Sequence, residues 1–177
     1  SRRPGRLAST KPATAAEPRL IAAYEAFLSG RPAGLRRAEP YRIVLDCANG
    51  AASRIAPEVF RAAGCAVTTV HAEPDGRNIN AGCGALHPRS LADAVVREQA
   101  DLGIAFDGDA DRARWADAEG RLLNGDHTLF GLARFMAGRG TLKSGAVVAT
   151  TMSNLGLEKA LTGLGLRVER TRVGDRY

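Results

Sequence analysis

Residues 102–112 read Leu-Gly-Ile-Ala-Phe-Asp-Gly-Asp-Ala-Asp-Arg, a short apolar run that leads directly into three closely spaced carboxylates. The run Leu102–Phe106 is typical of a buried strand, because it is short, uninterrupted and followed by turn-forming residues. A second apolar run, Ile43–Leu45, ends in Asp46 and is followed by Cys-Ala-Asn-Gly. The sequence thus places acidic residues where two predicted strands end.

Segments with helical spacing alternate with predicted strands along the rest of the chain. Helices are predicted from Leu20, over 55–63, over 89–99, from Asp126 and over 155–161, and further strands over 66–70, 113–123 (as a hairpin), 146–150 and 166–170. This alternation indicates the α/β class, with a layered mixed sheet and flanking helices. The helix from Asp126 is apolar on several sides, which predicts that it is well buried, and Asp126 can cap it.

The length of 177 residues corresponds to one domain or one and a half. Residues 1–19 are predicted to be a linker or tail, because they contain prolines and small residues without an apolar period. Residues 20–122 form a complete predicted α/β unit. Residues 123–177 begin a second unit that stops after a strand and a Gly-Asp-Arg-Tyr turn, which predicts an incomplete second domain.

The composition of 45% apolar and 25% charged residues is ordinary for a soluble globular protein. The net charge of +6 does not predict a nucleic-acid partner, since no basic stripe interleaved with aromatic residues is present and aromatics are only 5%. No apolar run approaches the roughly 20 residues of a membrane-spanning helix. Three widely spaced cysteines without a CxxC pair argue against a zinc site and favour reduced thiols in a cytoplasmic protein.

The acidic loop predicts a magnesium site. Alternate side chains of an extended backbone project the same way, as Asp107, Asp109 and Asp111 would, and the small residues Gly108 and Ala110 let the chain curl so that the three carboxylates converge. Three anions this close repel one another unless a cation lies between them. Oxygen ligands with open positions suit Mg²⁺, which commonly shares its shell with a substrate phosphate. The adjacent Arg112 could hold a phosphoryl oxygen bidentately.

Three alternatives exist for this loop. An EF-hand also begins with Asp at positions 1, 3 and 5, but it requires Gly and Glu where this chain has Arg112 and Ala118. A solvated acidic turn is the simplest alternative. A phosphatase with Asp107 or Asp109 as nucleophile is the third, although the sequence offers no clear supporting Lys or second acidic motif.

Several motifs, taken together and in order, resemble the α-D-phosphohexomutases, and specifically their phosphoglucosamine mutase branch. The acidic loop 107–112 marks the superfamily. The other matching stretches are Val-Leu-Asp-Cys-Ala-Asn-Gly-Ala at 44–51, Glu-Pro-Asp-Gly-Arg-Asn-Ile-Asn at 73–80, Asn-Gly-Asp at 124–126, Met-Ser-Asn-Leu-Gly-Leu at 152–157 and Val-Gly-Asp-Arg-Tyr at 173–177. The resemblance covers residues 20–177 and corresponds to the second domain and the start of the third.

The resemblance implies a four-domain enzyme that interconverts glucosamine 6-phosphate and glucosamine 1-phosphate through a phosphoserine and Mg²⁺. It implies that Asp107, Asp109 and Asp111 are the metal ligands and that Arg112 contacts the phosphoryl group. It also implies that Gly174, Asp175 and Arg176 belong to a substrate-facing loop, and that the partners are a sugar phosphate and the other domains of the same enzyme.

The chain departs from the family pattern in what it does not contain. The family's Ser-His-Asn-Pro type phosphoserine loop has no counterpart, and neither has its sugar-selecting Gly-Glu-x-Ser-Gly loop. We therefore expect no mutase turnover from this chain alone. A phosphomannomutase or phosphoglucomutase, and a non-catalytic module that binds Mg²⁺ or a sugar phosphate, remain alternatives at this point.

Residues outside the acidic loop receive structural interpretations. Cys47 and Cys65 are predicted to be buried core thiols. Asp46 is predicted to cap the turn after its strand. Asn78 and Asn80 are predicted to form turns, with an approach to the active site as the alternative.

Overall fold

The computed structural model describes residues 18–30 and 39–174. Within them lie five α-helices and seven strands, in the order α1 Pro18–Ser29, β1 Arg42–Asp46, α2 Ala52–Ala62, β2 Ala66–Val70, α3 Arg89–Arg97, β3 Leu102–Phe106, β4 Ala113–Asp117, β5 Leu122–Leu123, α4 Gly125–Gly138, β6 Ala146–Thr150, α5 Leu155–Gly163 and β7 Arg167–Thr171. A short 3-10 helix, Gly84–Leu86, lies in the long connection before α3. The α/β class predicted from the sequence is confirmed.

The first sheet contains five strands in the order β2-β1-β3-β4-β5. Strand β1 is parallel to both β2 and β3, with Leu45 opposite Thr69 on one side and Ile104 on the other. Strands β3, β4 and β5 are antiparallel, as the predicted hairpin requires. The sheet is therefore mixed, and the carboxyl ends of β1, β2 and β3 lie at one edge.

Helices cover both faces of this sheet because its central strands alternate between two cores. Val44 and Ala105 pack in a cluster with Leu91 and Val95 of α3. Leu45 and Ile104 pack in the opposite cluster, which includes Ala52 of α2. In β3 the residues that face α3 are small, and a Cβ at Gly103 would overlap the side chains of Leu91 and Val95. The alternation of small and large residues in β3 thus fits α3 closely against the sheet.

The second sheet contains two parallel strands, β6 and β7, with Val147 opposite Val168. Its core is formed with α4 and α5 by Ala133, Val147, Ala149, Leu157, Leu161 and Leu166. Leu123, the last residue of β5, pairs with Trp115, so the five-stranded sheet extends to that residue. The chain thus forms one larger and one smaller α/β unit.

The prediction that α4 is well buried is wrong. Of its residues only Ala133 is buried, whereas Leu132, Phe135 and Met136 are exposed. The apolar residues surround the helix, but the second sheet packs against only one of its sides. An all-round apolar pattern reports burial only when packing partners exist on every side.

The predicted cap of α4 is also wrong. The helix is capped by Asn124, whose Oδ1 accepts hydrogen bonds from the backbone N–H groups of Asp126 and His127. Asp126 instead accepts a hydrogen bond from the backbone N–H of Asn154, at 3.0 Å. Asn and Asp are equally good capping residues, so the pattern alone could not separate two candidates two positions apart.

The amino-terminal helix was predicted from Leu20 and begins at Pro18, a residue suited to a first helical turn. It contacts α2 and keeps Leu20, Tyr24 and Phe27 exposed. Most of the predicted linker, residues 1–17, lies outside the described residues. Across residues 18–30 and 39–174, no helix combines the length and apolar character needed to cross a bilayer.

We predict that Leu45→Ala lowers the free energy of unfolding by about 2–5 kcal/mol, because it leaves a cavity beneath a central strand. Leu45 is fully buried, whereas Leu86 in the same unit is 57% exposed. The matched control Leu86→Ala should change the free energy of unfolding by less than about 0.5 kcal/mol. Urea unfolding followed by circular dichroism measures both, and equal effects of the two substitutions would refute the packing described above.

Candidate metal centre

The acidic loop, residues 107–112, joins β3 to the antiparallel strand β4. It begins where the buried strand β3 reaches the sheet edge, so that Asp107 is buried while Asp109 and Asp111 are exposed. In the partner strand β1, Asp46 pairs with Ala105, two residues before the loop. The loop therefore rises from the same edge at which β1 and β2 end.

The structure brings Asp107, Asp109 and Asp111 together. Each supplies a carboxylate oxygen within 4.8 Å of the oxygens of the other two. The sequence predicted this convergence from alternate side chains of an extended backbone, which is wrong, and from a curl of the chain that Gly108 and Ala110 allow. The backbone forms a turn in which the N–H of Ala110 donates to the carbonyl of Asp107 at 3.1 Å, with Ala110 at a φ of +61°.

Arg112 holds two of the three carboxylates. Its Nε donates to Oδ2 of Asp107 at 2.6 Å and lies 3.3 Å from Oδ1 of Asp111. Its backbone N–H donates to the other oxygen of Asp107 at 3.1 Å. The side chain is nevertheless 70% exposed, so the guanidinium lies at the open face of the loop.

The loop's charges shift its ionisation in opposite directions. Burial alone would raise the pKa of Asp107, but the hydrogen bonds from Arg112 outweigh it and lower that pKa below the usual value. A hydrogen bond shared with Asp107 raises the pKa of Asp111, with further contributions from burial and from the negative charge of Asp109. One arginine therefore does not neutralise three carboxylates, and a divalent cation would relieve the remaining repulsion.

The turn after β1 packs directly against the backbone of the acidic loop. The backbone N–H of Ala51 donates to the carbonyl of Gly108 at 2.9 Å, and a Cβ at Gly50 would overlap that same carbonyl. Residue 50 must therefore be glycine for the loop to sit this close. The sequence marked this stretch only as a turn, because the contact joins residues 58 positions apart.

Asn80 also packs against the acidic loop. Its side chain lies beside Gly108, and its buried Oδ1 has no hydrogen-bond partner among the described residues. Its backbone N–H donates to the carbonyl of Ala48 at 2.9 Å. The sequence identified Asn80 as a turn-forming residue, and its φ of +57° agrees with that interpretation. Its contact with the acidic loop agrees with the alternative that the sequence left open, an approach of Asn80 to the site.

The remaining predicted site residues lie elsewhere. Gly174 follows β7 at the end of the described residues, with a φ of +136°. Asp175 and Arg176 lie outside the described residues. The substrate-facing role of these three residues therefore stays a prediction.

Two family models match the chain. The model described as "Phosphoglucomutase/phosphomannomutase, alpha/beta/alpha domain II" matches residues 25–120. The model for domain III of the same family matches residues 124–177. A curated phosphoglucosamine mutase from Solibacter usitatus is 47% identical over 93% of this chain and 36% of its own length. One from Rhodospirillum rubrum is 53% identical over 80% of this chain and 31% of its own length. The chain thus spans about a third of these relatives.

Solved structures share the fold. A phosphoglucomutase/phosphomannomutase family protein from Burkholderia thailandensis matches 88% of this chain and 33% of its own, with a TM-score of 0.73 and 23% identity. Aspergillus fumigatus N-acetylphosphoglucosamine mutase, solved with GlcNAc-6P and magnesium, matches 87% of this chain and 34% of its own, with a TM-score of 0.60 and 23% identity. The domain II model matches more than half of this chain, and the domain III model matches the residues that follow. The chain therefore belongs to the phosphoglucomutase/phosphomannomutase family.

Proposed function

We propose that this chain supplies the divalent-cation loop of a phosphoglucosamine mutase, which interconverts glucosamine 6-phosphate and glucosamine 1-phosphate. The convergence of three carboxylates within 4.8 Å carries the proposal. The identity of about half with relatives named phosphoglucosamine mutase supports the choice of substrate. Residues 20–122 and 123–177 would then be the second domain and the beginning of the third, within a cytoplasmic enzyme.

The acidic loop suits Mg²⁺. Its donors are all carboxylate oxygens, the ligand type that this ion prefers. Asp107 is buried and fixed by Arg112, whereas Asp109 and Asp111 are exposed, which leaves one side open to water and a substrate phosphate. When bound, Mg²⁺ would act as a Lewis acid that neutralises charge on the phosphoryl group. The magnesium in the Aspergillus fumigatus structure supports this choice.

Arg112 is proposed to act in two ways. Its Nε positions the carboxylates of Asp107 and Asp111 before the cation arrives. Its exposed guanidinium lies where it can also contact a phosphoryl oxygen and offset negative charge during transfer.

The sugar phosphate and the remaining domains of the enzyme are the proposed partners. The phosphoserine would come from the first domain. Gly174, Asp175 and Arg176 are proposed to face the substrate from the third domain. Phosphoryl transfer depends mainly on positioning and charge neutralisation, which is what the acidic loop and Arg112 provide.

We predict that Asp109→Ala weakens Mg²⁺ binding at least about tenfold, because it removes a charged ligand without touching the core. Asp109 is exposed, so the variant should remain folded. Asp93→Ala in α3 removes an equally exposed carboxylate away from the loop and should bind Mg²⁺ as the wild type does. Isothermal titration calorimetry compares the three proteins. Equal binding by wild type and Asp109→Ala would refute the metal assignment.

We predict that Gly50→Ala also weakens Mg²⁺ binding, because the added methyl group displaces the carbonyl of Gly108 and distorts the loop. Gly131→Ala in α4 is the control, since a Cβ there meets open space. The control should bind Mg²⁺ normally and should not lose stability, because Ala is the better helix former. Unchanged Mg²⁺ affinity in a folded Gly50→Ala protein would show that the turn does not support the loop.

The mutase assignment is tested in a chimera. The stretch of the Solibacter usitatus relative that corresponds to residues 20–177 is replaced by those residues, and conversion of glucosamine 6-phosphate is followed with Mg²⁺ present. We predict turnover by the chimera, a loss of at least about 100-fold with Asp109→Ala, and none from this chain alone. A folded chimera that binds Mg²⁺ but has no turnover, or turnover by the chain alone, would contradict the proposal.

A further inference from the structure

A second cluster of potential metal ligands lies at the same sheet edge as the acidic loop. It contains Asp46, the last residue of β1, His71, which directly follows β2, and Cys83, which directly precedes the 3-10 helix. The parallel register pairs Asp46 with Val70, so the next residue, His71, is brought beside the carboxylate. Three separate segments therefore meet at this point.

The ligand atoms of this cluster are close enough to share one ion. A carboxylate oxygen, an imidazole nitrogen and the Cys83 sulfur lie within 4.8 Å of one another. His71 Nδ1 is 3.2 Å from Asp46 Oδ1 but lacks the alignment of a hydrogen bond, and this buried nitrogen has no other partner among the described residues. An unsatisfied buried nitrogen that faces a carboxylate and a thiol can act as a ligand to a cation.

Asp46 is held in place by the backbone around it. Its Oδ2 accepts hydrogen bonds from the N–H of Gly84 at 2.9 Å and from the hydroxyl of Ser90 at 3.4 Å, and its Oδ1 accepts one from the N–H of Ala48 at 3.0 Å. Oδ1, which faces His71, accepts one hydrogen bond and can still coordinate a cation through its second lone pair. Such outer contacts orient ligands in metal sites and raise the affinity of those sites.

Cys83 is similarly oriented. Its side chain is fully buried, and Asn49 Nδ2 lies 3.9 Å from its sulfur, within the range of a weak hydrogen bond. Burial, and then the negative charge of Asp46, raise the pKa of the Cys83 thiol, which favours the protonated form. Metal binding would release that proton to solvent and leave a thiolate ligand.

We propose that Asp46, His71 and Cys83 form a second metal site, selective for a thiophilic divalent cation of the Zn²⁺ type and distinct from the all-oxygen acidic loop. Sulfur, imidazole and carboxylate are the ligands of Zn²⁺ in proteins, and three such ligands leave a fourth position for water. Mg²⁺ does not favour sulfur or nitrogen ligands. The side chain of His71 is 36% exposed, which gives a route for the ion from solvent.

The site would stabilise the support of the acidic loop. Ala48, Asn49 and Gly50 connect Asp46 to the contact with Gly108, and the N–H of Asn49 donates to the carbonyl of His71 at 2.6 Å. An ion bound by the cluster would link the ends of β1 and β2 to the start of the 3-10 helix, next to this turn. The proposal is independent of the mutase assignment, since it requires only these three side chains.

Co²⁺ titration of the full chain tests the site, because Co²⁺ replaces Zn²⁺ and its bond to a thiolate gives a charge-transfer absorption band. We expect the band in the wild type, in the presence of excess Mg²⁺, and in Cys65→Ser, which alters a thiol outside the cluster. We expect no band in Cys83→Ser. Absence of the band in the folded wild type, or its persistence in Cys83→Ser, would overturn the proposal.

A second variant keeps the test decisive if Cys83→Ser does not fold. His71 has a φ of +49°, a conformation that Asn tolerates better than most residues, and its side chain is partly exposed. His71→Asn should therefore fold and weaken Co²⁺ binding at least about tenfold, while Mg²⁺ binding persists. Unchanged Co²⁺ affinity in His71→Asn would contradict the assigned ligand set.

Discussion

The candidate site depends on one constraint, the parallel pairing of β1 with both β2 and β3. Because all three strands run in the same direction, their carboxyl ends and the residues that follow them meet at one edge of the sheet. The acidic loop follows β3, the supporting turn follows β1, and His71 follows β2. The two buried clusters on either side of the sheet fix the positions of these strand ends relative to one another.

Close backbone contacts then fix the position of the acidic loop relative to the turn after β1. The carbonyl of Gly108 accepts a hydrogen bond from Ala51 and lies where no side chain at residue 50 could fit. The loop therefore rests on the backbone of this turn, with the side chain of Asn80 beside Gly108, and its carboxylates converge through a turn at Ala110. Electrostatics opposes this convergence. Arg112 offsets only part of the negative charge, so the loop retains a net negative charge that the proposed cation would neutralise.

The sequence predicted those features that are local and contiguous. The strand Leu102–Phe106 was predicted with its exact bounds, and the three carboxylates were identified because they lie within five residues. The burial of α4 could not be predicted, since an apolar pattern does not reveal that only one side of the helix has a packing partner. The positive φ of Ala110 was also missed, because alanine gives no local signal for that conformation.

Long-range contacts account for the other differences. Cysteine spacing gave no sign that Asp46, His71 and Cys83 lie together, because the pairing of β1 with β2 brings the first two side by side and the connection before α3 brings Cys83 to them. Gly50 and Asn80 read as turn residues, yet each contacts Gly108 across a large distance in sequence. Such contacts depend on which strands pair and in which register, and neither can be derived from a single sequence.

The most direct test of the central claim, that the acidic loop is a divalent-cation site, is a crystal structure of the chain with Mn²⁺ and an anomalous difference map. Mn²⁺ accepts the same oxygen ligands as Mg²⁺ and scatters anomalously. The account predicts a peak about 2.0–2.3 Å from carboxylate oxygens of Asp107, Asp109 and Asp111. A map with no peak between these three residues, at Mn²⁺ concentrations that saturate binding in solution, would contradict it.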